Sequence, residues 1–414
     1  MTGMLRIDGA RLWASLMRMA EIGATPAGGC NRQALTALDK QGRDIFCQWA
    51  RELGCEIRVD AIGNIFARRA GRDPSAAPVM TGSHLDTQPT GGKFDGVYGV
   101  LAGLEVLRTL EDAGHRTLAP LEVVVWTNEE GARFSPAMLG SGVWAGVFGL
   151  DEAWAIRDKA GCTVREALDG IEYRGEAPAR AGPVHAAFEV HIEQGPILEA
   201  EGLGIGILTG VQGMRWYDLT LRGRPCHAGP TPMEGRRDPF MALGPIQQAL
   251  YALAARHAPW ARVTFGDIRV APGVRNTVPE TLVLAVDLRH PDPEVLAAMD
   301  SEFHAIAAAE AARVGLGWEI RLEWDSPAVV FHPRCVDAVA QSVERLGYPA
   351  MRMVSGAGHD SVYVSRVAPT GMIFVPCGGG ISHNEAESAR PEELEAGANV
   401  LLHAMLQCAD APQH

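Results

Sequence analysis

Residues 79–96 read VMTGSHLDTQPTGGKFDG, a short apolar segment that runs into a long polar loop. A short apolar run bounded by turn residues predicts a buried strand, here over 78–83. A helical pattern follows at 97–113, and the β-branched run at 121–126 predicts a strand inside a sheet that is covered on both faces. Strands that alternate with helices in this way favour an α/β sandwich.

The flanking segments extend this pattern. Helices are predicted near 10–21 and 41–53, and a pair of strands near 56–68 with a turn at Gly63-Asn64. After residue 330 the chain again alternates helices and strands. Both ends of the chain therefore belong to the same class of fold.

The middle of the chain has a different order of elements. Strands are predicted at 214–223, 262–271, 281–288 and 317–324, and helices at 237–257 and 293–314. This β-α-β-β-α-β order is the split βαβ pattern of ferredoxin-like domains. A chain of 414 residues is too long for one compact core. We therefore expect two domains, one formed by residues 1–212 plus 328–414 and an inserted α+β domain of residues 213–327.

The composition disfavours several classes of protein. Apolar residues make up 47% of the chain and charged residues 21%, as in folded proteins. The net charge of -13 disfavours nucleic acid as a partner, because phosphate backbones repel it. We expect neither a membrane span, which needs about 20 apolar residues, nor a signal peptide, since arginines interrupt the N-terminal apolar segments. The eight cysteines form no C-x-x-C pair, so we expect free thiols and a cytoplasmic protein.

A histidine and two carboxylates follow the first buried strand. His84 comes directly after it, where α/β sheets place their ligand sites. Asp86 is positioned to accept the second imidazole N–H and fix the tautomer, and Asp95 offers a carboxylate in a glycine-flanked loop. Taken alone, such residues are more often a loop histidine with two solvated acids.

Further candidate ligands follow other predicted strands. Glu129 and Glu130 follow the strand at 121–126, and neighbouring side chains of a strand point apart, so one could bind a metal while the other faces a reacting water. His191 and His383 each stand at a predicted strand-to-loop junction. Histidines and carboxylates without thiolates suit Zn²⁺ or Mn²⁺. A bridging carboxylate would hold two such ions about 3.5–4 Å apart.

Together these segments resemble the M20 metallopeptidase clan, and within it the amidase branch of N-carbamoyl-L-amino acid hydrolases, β-ureidopropionases and allantoate amidohydrolases. The resemblance covers residues from about 10 to 408. It rests on the order and spacing of the motifs GSHLDT (82–87), GGKFDG (91–96), NEEG (128–131), HIEQG (191–195), HAG (227–229), NTVP (276–279), DLR (287–289) and SHNE (382–385). Peptidases of the clan carry a carboxylate where this chain has His191, whereas the carbamoylase branch carries a histidine.

The resemblance implies a discontinuous, zinc-peptidase-like α/β/α catalytic domain with an inserted ferredoxin-like α+β lid and dimerisation domain. It also implies two divalent metal ions per subunit, Zn²⁺ or Mn²⁺, with Co²⁺ or Ni²⁺ as alternatives. It assigns their ligands as His84, Asp95 and His191 for one ion, and Asp95, Glu130 and His383 for the other. Asp95 would bridge the ions, Asp86 would orient His84, and Glu129 would be the general base.

The resemblance further implies residues around a small carboxylate-bearing substrate. His227 is expected to reach the active site of a neighbouring subunit and to stabilise an oxyanion, which predicts a homodimer built through the inserted domain. Arg289 is expected to bind the substrate carboxylate by two parallel hydrogen bonds, with a surface ion pair to Asp287 or Asp292 as the alternative. The remaining substrate residues implied are Gln194, Asn276 and Gly358.

Two features stay open at this point. His359 and Asp360 follow Gly358 and serve either the substrate or the structure. Many relatives have Gln-Arg-Arg where this chain has Met214-Arg215-Trp216. That difference mildly disfavours allantoate, which is polar at both ends.

The leading hypothesis is hydrolysis of the carbamoyl C–N bond of an N-carbamoyl-L-α-amino acid or of β-ureidopropionate, giving amino acid, CO₂ and ammonia. Allantoate amidohydrolase is the second hypothesis, and an aminoacylase or peptidase of the clan the third. A non-catalytic binding protein is disfavoured because Glu129 and every implied ligand are present. A nucleotide-binding protein is disfavoured because Gly91-Gly92 and the glycines at 378–380 match neither a P-loop nor G-x-G-x-x-G.

Overall fold

The computed structural model describes residues 4–411. Their contacts divide the chain into two compact units. The first unit contains the residues up to Gly210 and those from Val330 onward, and the second is Val211–Val329. The chain therefore leaves the first unit and returns to it, and the change-over points lie two residues from the predicted boundaries at 213 and 327.

The bounds of the elements are as follows. The strands are β1 Glu56–Val59, β2 Ile65–Arg69, β3 Val79–His84, β4 Leu121–Trp126, β5 Ala186–Ile192, β6 Ile205–Val211, β7 Gly213–Arg222, β8 Cys226–His227, β9 Arg262–Ala271, β10 Thr277–Val278, β11 Thr281–His290, β12 Gly317–Ser326, β13 Val329–Val330, β14 Ala350–Ser355 and β15 Thr370–Val375. The helices are α1 Gly9–Ala20, α2 Ala37–Glu52, α3 Val97–Asp112, α4 Leu139–Trp144, α5 Leu150–Ala155, α6 Val164–Gly170, α7 Ile197–Glu201, α8 Phe240–Arg256, α9 Pro293–Val314, α10 Pro333–Leu346, α11 Ser361–Val364 and α12 Pro391–Ala409, with a 3₁₀ turn at Gly378–Gly380.

The first unit is built on a mixed sheet with the strand order β1-β2-β4-β3-β5-β15-β6-β13, and β14 pairs with β6. The central strands β4, β3, β5 and β15 run parallel to one another. All four are buried along their whole length, which confirms the buried strands predicted near 78–83 and 121–126. Because the strands are parallel, their carboxyl ends lie at one edge of the sheet, where α/β folds place their sites.

Helices cover both faces of this sheet, so the predicted α/β sandwich is confirmed. On one face α3 and α12 pack against β3, β5 and β15. Gly99 of α3 allows this close approach, because a Cβ there would lie 2.6 Å from the carbonyl oxygen of Val190. On the other face, Trp144 of α4 and Val364 of α11 pack with Phe66, Val124 and Trp126 in a separate apolar cluster.

The second unit has the predicted β-α-β-β-α-β order in β7, α8, β9, β11, α9 and β12. Its four strands form an antiparallel sheet in the order β12-β7-β11-β9. Side chains of β11 alternate between buried and half-buried, and the buried ones join Leu219, Ile246 and Phe303 in one core between the sheet and the two helices. Strand periodicity in the sequence therefore located these strands correctly.

The helix boundaries differ slightly from prediction where caps decide them. The helix predicted at 41–53 begins at Ala37, because the Thr36 side chain accepts a hydrogen bond from the Asp39 backbone and caps it. The helix predicted at 237–257 begins at Phe240, directly after Pro239. Among the described residues, none of the helices combines the length and apolar character needed to cross a membrane.

Replacing Phe303 by Ala is expected to destabilise the second unit. Phe303 is fully buried and meets the Tyr217 ring edge-on with 5.4 Å between centroids. Loss of such a side chain leaves a cavity and costs about 3–5 kcal/mol. Phe240→Ala is the matched control, since Phe240 is 46% exposed in the same unit. Urea denaturation with hydrogen exchange resolved by segment would measure both, and equal stability of the two variants would contradict the assigned core.

Candidate metal centre

The implied metal ligands lie at the carboxyl edge of the first unit's sheet. His84 is the last residue of β3, and Asp95 stands in the loop that leads into α3. His191 lies within β5, one residue before its end, rather than at the junction predicted from the sequence. His383 lies in the loop after the 3₁₀ turn at Gly378–Gly380. Parallel strands thus bring together residues that are far apart in sequence.

The Asp95 carboxylate stands between two groups of side chains. Its Oδ1 lies 3.1 Å from Nε2 of His191 and 3.7 Å from Nε2 of His84. Its Oδ2 lies 3.5 Å from Nε2 of His383, which in turn lies 3.3 Å from Oε2 of Glu130. In each of the groups His84–Asp95–His191 and Asp95–Glu130–His383, the ligand atoms lie within 4.8 Å of one another. The five side chains therefore converge as a pair of sites that share Asp95.

The sequence suggested that Glu129 and Glu130 end a regular strand, but they lie beyond the end of β4. β4 ends at Trp126, and the chain then turns through Asn128, which has a left-handed φ of 55°. This turn, and not strand alternation, separates the two carboxylates. Glu129 Oε2 lies 3.4 Å from Nε2 of His84. Glu130 instead accepts hydrogen bonds from the backbone and side-chain N–H groups of Gln88, at 3.1 and 2.8 Å.

The predicted role of Asp86 is corrected by its contacts. Nδ1 of His84 lies 2.8 Å from the backbone carbonyl oxygen of Asp86, so the main chain orients the imidazole. The Asp86 carboxylate accepts the backbone N–H groups of Glu129 and Glu130, at 3.3 and 3.2 Å. The Asp86 carboxylate therefore holds the glutamate turn, while its backbone carbonyl orients His84.

Asp95 is supported by hydrogen bonds that the sequence analysis did not predict. Ser382 Oγ and Gln194 Nε2 both donate to Oδ2 of Asp95, at 2.7 and 2.8 Å. The buried Glu387 accepts the backbone N–H groups of Phe94 and Asp95, at 2.8 and 3.1 Å. The only sequence signal for Ser382 and Glu387 was their proximity to His383. These hydrogen bonds fix the orientation of the Asp95 carboxylate, as hydrogen bonds to ligating carboxylates do in known metal sites.

Three of the six non-glycine residues that have a positive φ in the described part of the chain lie at the site. Asn128, Gln194 and His383 have φ values of 55°, 57° and 53°, which non-glycine residues rarely adopt. Each such residue costs of order 1–3 kcal/mol and persists only where the surrounding structure holds it. Strain of this kind is typical of positions that a functional geometry fixes.

The electrostatics of the cluster are dominated by buried carboxylates. Burial, reinforced by neighbouring negative charges, raises the pKa of Glu129 and Glu130 well above the usual value. Burial likewise raises the pKa of Asp86 to about 7 and that of Glu387 to about 7. Carboxylates in such surroundings need compensating positive charge if they are to stay ionised.

The histidines supply only part of that charge. Burial lowers the pKa of His84 to about 4. For His191, burial is outweighed by the hydrogen bond with Asp95, which raises its pKa to about 9. The same hydrogen bond and the three histidine charges outweigh the effect of burial on Asp95 and lower its pKa. Divalent cations would stabilise the ionised carboxylates directly, so this donor set fits metal ions.

A second buried group lies behind His191. The His359 ring meets the His191 ring edge-on with 4.7 Å between centroids, and His359 Nε2 lies 3.0 Å from Ser355 Oγ. Glu189 accepts hydrogen bonds from the hydroxyls of Ser83 and Ser361, at 2.8 and 2.6 Å. His359 therefore packs against His191, and Glu189, His191 and His359 form a third group whose ligand atoms lie within 4.8 Å of one another.

The other loop residues have separate surroundings. Asp360 accepts a hydrogen bond of 2.5 Å from Ser141, so its contact is structural. Gly358 packs near Met138, whose methyl carbon would lie 3.2 Å from a Cβ placed there. Its role toward a substrate stays a prediction.

The remaining predicted substrate residues belong to the second unit. His227 lies in β8 opposite Thr277 of β10, and the Ala228 N–H donates to the carbonyl of Asn276, so His227 and Asn276 lie close together. Arg289 donates from Nε and Nη2 to Asp287, which is the ion pair that the sequence analysis held as the alternative. Arg215 pairs with Asp300 and Asp325. The substrate roles of His227, Asn276 and Arg289 stay predictions.

The comparison with known proteins agrees with this geometry. The model of the peptidase family M20/M25/M40 matches residues 80–407. The chain belongs to this family. Its members are metal-dependent hydrolases, and the clusters around Asp95 supply the corresponding ligand groups.

Individual relatives show which members of the M20 family this protein resembles. It is 47% identical to an N-carbamoyl-L-amino-acid amidohydrolase of Rhizobium meliloti, over 98% of this chain and 97% of that protein. It is 33% identical to an allantoate amidohydrolase of Bacillus subtilis, over 94% of this chain and 95% of that protein. The structure matches a hydantoinase/carbamoylase family amidase from Burkholderia multivorans with a TM-score of 0.95 and 54% identity, over 99% of this chain and 100% of that one.

Gly96→Ala is expected to displace His84 and to weaken metal binding. Gly96 has a φ of 67°, and a Cβ there would lie 2.3 Å from the imidazole of His84. Gly146→Ala is a matched control, because Gly146 has a φ of 76° but nothing within 4 Å of the added Cβ. Metal content after dialysis against a weak chelator, measured by mass spectrometry, should fall only for Gly96→Ala. Equal metal retention by both variants would argue against His84 as a ligand.

Proposed function

We propose that this chain hydrolyses the carbamoyl C–N bond of N-carbamoyl-L-amino acids to amino acid, CO₂ and ammonia. The observation that carries the proposal is the Asp95 carboxylate between two histidine-containing groups, with Glu129 beside His84. His191 favours the carbamoylase branch, since peptidases of the clan carry a carboxylate there. The 47% identity to a named N-carbamoyl-L-amino-acid amidohydrolase supports the same substrate class over allantoate, whose named relative is 33% identical.

We further propose that His84, Asp95 and His191 hold one divalent ion and that Asp95, Glu130 and His383 hold a second. Zn²⁺ or Mn²⁺ suits these imidazole and carboxylate donors, and Co²⁺ or Ni²⁺ has the same ligand preferences. When bound, such ions act as Lewis acids and make water a stronger acid. The His383 side chain is 53% exposed, so the second group stands at the solvent side of the centre.

Glu129 is the residue that transfers the proton in this mechanism. Glu129 is not a member of either ligand group, and its carboxylate accepts a proton from the water that attacks the ureido carbon. Glu129 passes that proton to the departing nitrogen as the C–N bond breaks. The resulting carbamate loses CO₂ and releases the second nitrogen, so one water is consumed for each amino acid and ammonia formed.

Gln194 is suited to recognise the ureido group. Its Nε2 is occupied by Asp95 and Ser382, whereas its buried Oε1 has no hydrogen-bond partner among the described residues. A buried acceptor without a partner costs about 1–3 kcal/mol, which a ligand N–H can recover. The NH₂ of a carbamoyl group donates such a hydrogen bond, while the methyl of an acetyl group does not.

The second unit supplies the remaining proposed contacts. Arg289, fixed by Asp287, would bind the substrate carboxylate, and Asn276 would assist beside His227. His227 would stabilise the oxyanion in the neighbouring subunit of a homodimer, as in relatives of this branch. A location in the cytoplasm is part of the same proposal, since the eight cysteines are free thiols, as a reducing compartment keeps them.

Glu129→Gln is expected to keep its metal and to lose turnover. General acid–base groups contribute about 10²–10⁴-fold to rate, and kcat should fall by that factor. Glu201→Gln, an exposed position at the end of α7, serves as the isosteric control. Metal content and ammonia release would be measured for both. A Glu129→Gln enzyme with wild-type kcat would remove Glu129 from the mechanism.

A substrate panel tests the class directly. N-carbamoyl-L-methionine, N-acetyl-L-methionine, β-ureidopropionate and allantoate would be offered to metal-replete enzyme, with amino acid or ammonia release as the readout. N-carbamoyl-L-methionine should exceed its N-acetyl counterpart by about 10²-fold or more in kcat/KM, because the acetyl methyl leaves Gln194 Oε1 without a partner. A higher kcat/KM for allantoate or for the acetyl compound would contradict the proposed function.

A further inference from the structure

A buried ion pair lies behind the glutamate turn. Arg43 and Asp39 stand one helical turn apart on α2, and their side chains are both 0% exposed. Arg43 Nε donates to Oδ2 of Asp39 at 2.9 Å, and the Leu35 backbone N–H donates to the same oxygen at 2.7 Å. The pair is therefore a fixed part of the interior of the first unit.

The other two nitrogens of the Arg43 guanidinium contact Gly63 and Thr127, and Thr127 leads into the segment with Glu129 and Glu130. Nη1 donates to the Gly63 carbonyl at 2.7 Å, and Nη2 donates to Thr127 Oγ1 at 3.3 Å. Asn64, next to Gly63, accepts the Thr127 backbone N–H at 3.0 Å. Thr127 is thus held through both its side chain and its backbone at the point where β4 ends.

Thr127 begins the turn that positions both glutamates. Asn128 follows in its left-handed conformation, and then come Glu129 and Glu130. The Asp86 carboxylate holds the far side of the turn through the backbone N–H groups of both glutamates. The carbonyls of the turn also accept backbone N–H groups of residues 138–140, at 2.7–3.2 Å. The turn is therefore held at several points, as a strained conformation requires, and Arg43 supplies the contact to the Thr127 side chain.

We propose that Arg43, fixed by Asp39, is a positioning residue that sets the place of the Glu129 carboxylate through Thr127. The inference rests on the proposed role of Glu129. Stability alone does not explain the pair, because a buried ion pair is often no more stable than an apolar pair of similar size. The Nε, Nη1 and Nη2 atoms of Arg43 reach acceptors on three separate segments from one rigid plane, whereas the three donors of a Lys all leave a single nitrogen.

The test uses a charge-free replacement of the pair, Asp39→Asn/Arg43→Met, so that no single buried charge is left and the Leu35 N–H keeps an acceptor. We expect kcat to fall about 10- to 100-fold, since a displacement near 1 Å can cost 10²-fold, with KM changed less than about threefold. The amides of Glu129 and Glu130 should exchange hydrogen faster, also in metal-free enzyme. Arg43→Lys should lose kcat as well, because charge without the fork does not hold Thr127.

A double-mutant cycle separates positioning from general damage. If Arg43 acts through Glu129, adding Asp39→Asn/Arg43→Met to Glu129→Gln should change the residual kcat less than about twofold. Arg69→Met is the control, since Arg69 is another nearly buried arginine, but it lies opposite Leu121 at the other end of the sheet. Its kcat should stay at the wild-type value.

Each outcome decides one point. Equal losses of kcat in the wild-type and Glu129→Gln backgrounds, or an unchanged kcat in the double replacement, would overturn the positioning role of Arg43. A fully active Glu129→Gln enzyme would instead remove the proposed role of Glu129, on which this inference rests, whereas only the substrate panel can overturn the proposed function itself. Urea denaturation of every variant shows whether the protein compared is folded, and the Arg43→Lys enzyme provides a second folded test if the double replacement is not.

Discussion

The structure of the site depends on one carboxylate whose two oxygens face different partners. Oδ1 of Asp95 faces His84 and His191, and Oδ2 faces His383, Ser382 and Gln194. Two groups of donors become one centre only because they share this side chain. Asp95 is buried among other carboxylates, so its position would be unfavourable without nearby positive charge. The histidines provide some of that charge, and metal ions, on which this family depends, would provide the rest.

Two loops at the site of the first unit are held in place by buried carboxylates. Glu387 holds the backbone at Phe94 and Asp95, and Asp86 holds the backbone at Glu129 and Glu130. In both places a buried carboxylate accepts two successive N–H groups of a loop. Loops at the edge of a sheet are otherwise the most mobile part of an α/β fold. Carboxylates that hold the backbone convert these loops into a preorganised frame, which catalysis by fixed charges requires.

The second unit follows a simpler principle. Its antiparallel sheet buries one face against two helices, and its predicted functional residues lie in a strand and in a short strand pairing, at Arg289 and His227. Asp287 fixes the Arg289 guanidinium from two residues away on the same face of β11. An arginine held in this way keeps its charge and its orientation, whether it meets a substrate or only its neighbour.

Much of this protein was predictable from local pattern. Strand and helix periodicity located the buried strands before His84 and Glu129, and it gave the element order of the second unit. Motif spacing, through the family resemblance, selected Asp95 and the four side chains that meet around it. Both signals are short-range properties of the chain, because burial repeats with the period of the element and motif residues lie within a few positions of one another.

The sequence could not determine the hydrogen bonds between residues of separate segments. His84 meets the backbone carbonyl of Asp86 and not its carboxylate. This contact depends on how the chain turns after β3. The separation of Glu129 from Glu130 depends on the left-handed bend at Asn128. Arg43 of α2 meets Thr127, and Glu387, in the loop before α12, meets the backbone at Phe94. Neither partner can be deduced from the residues next to them in sequence. The sequence by itself thus determined which chemical groups are present and on which elements they stand. Only the tertiary structure decided which of their atoms meet, because hydrogen-bond partners are set by the packing of distant segments.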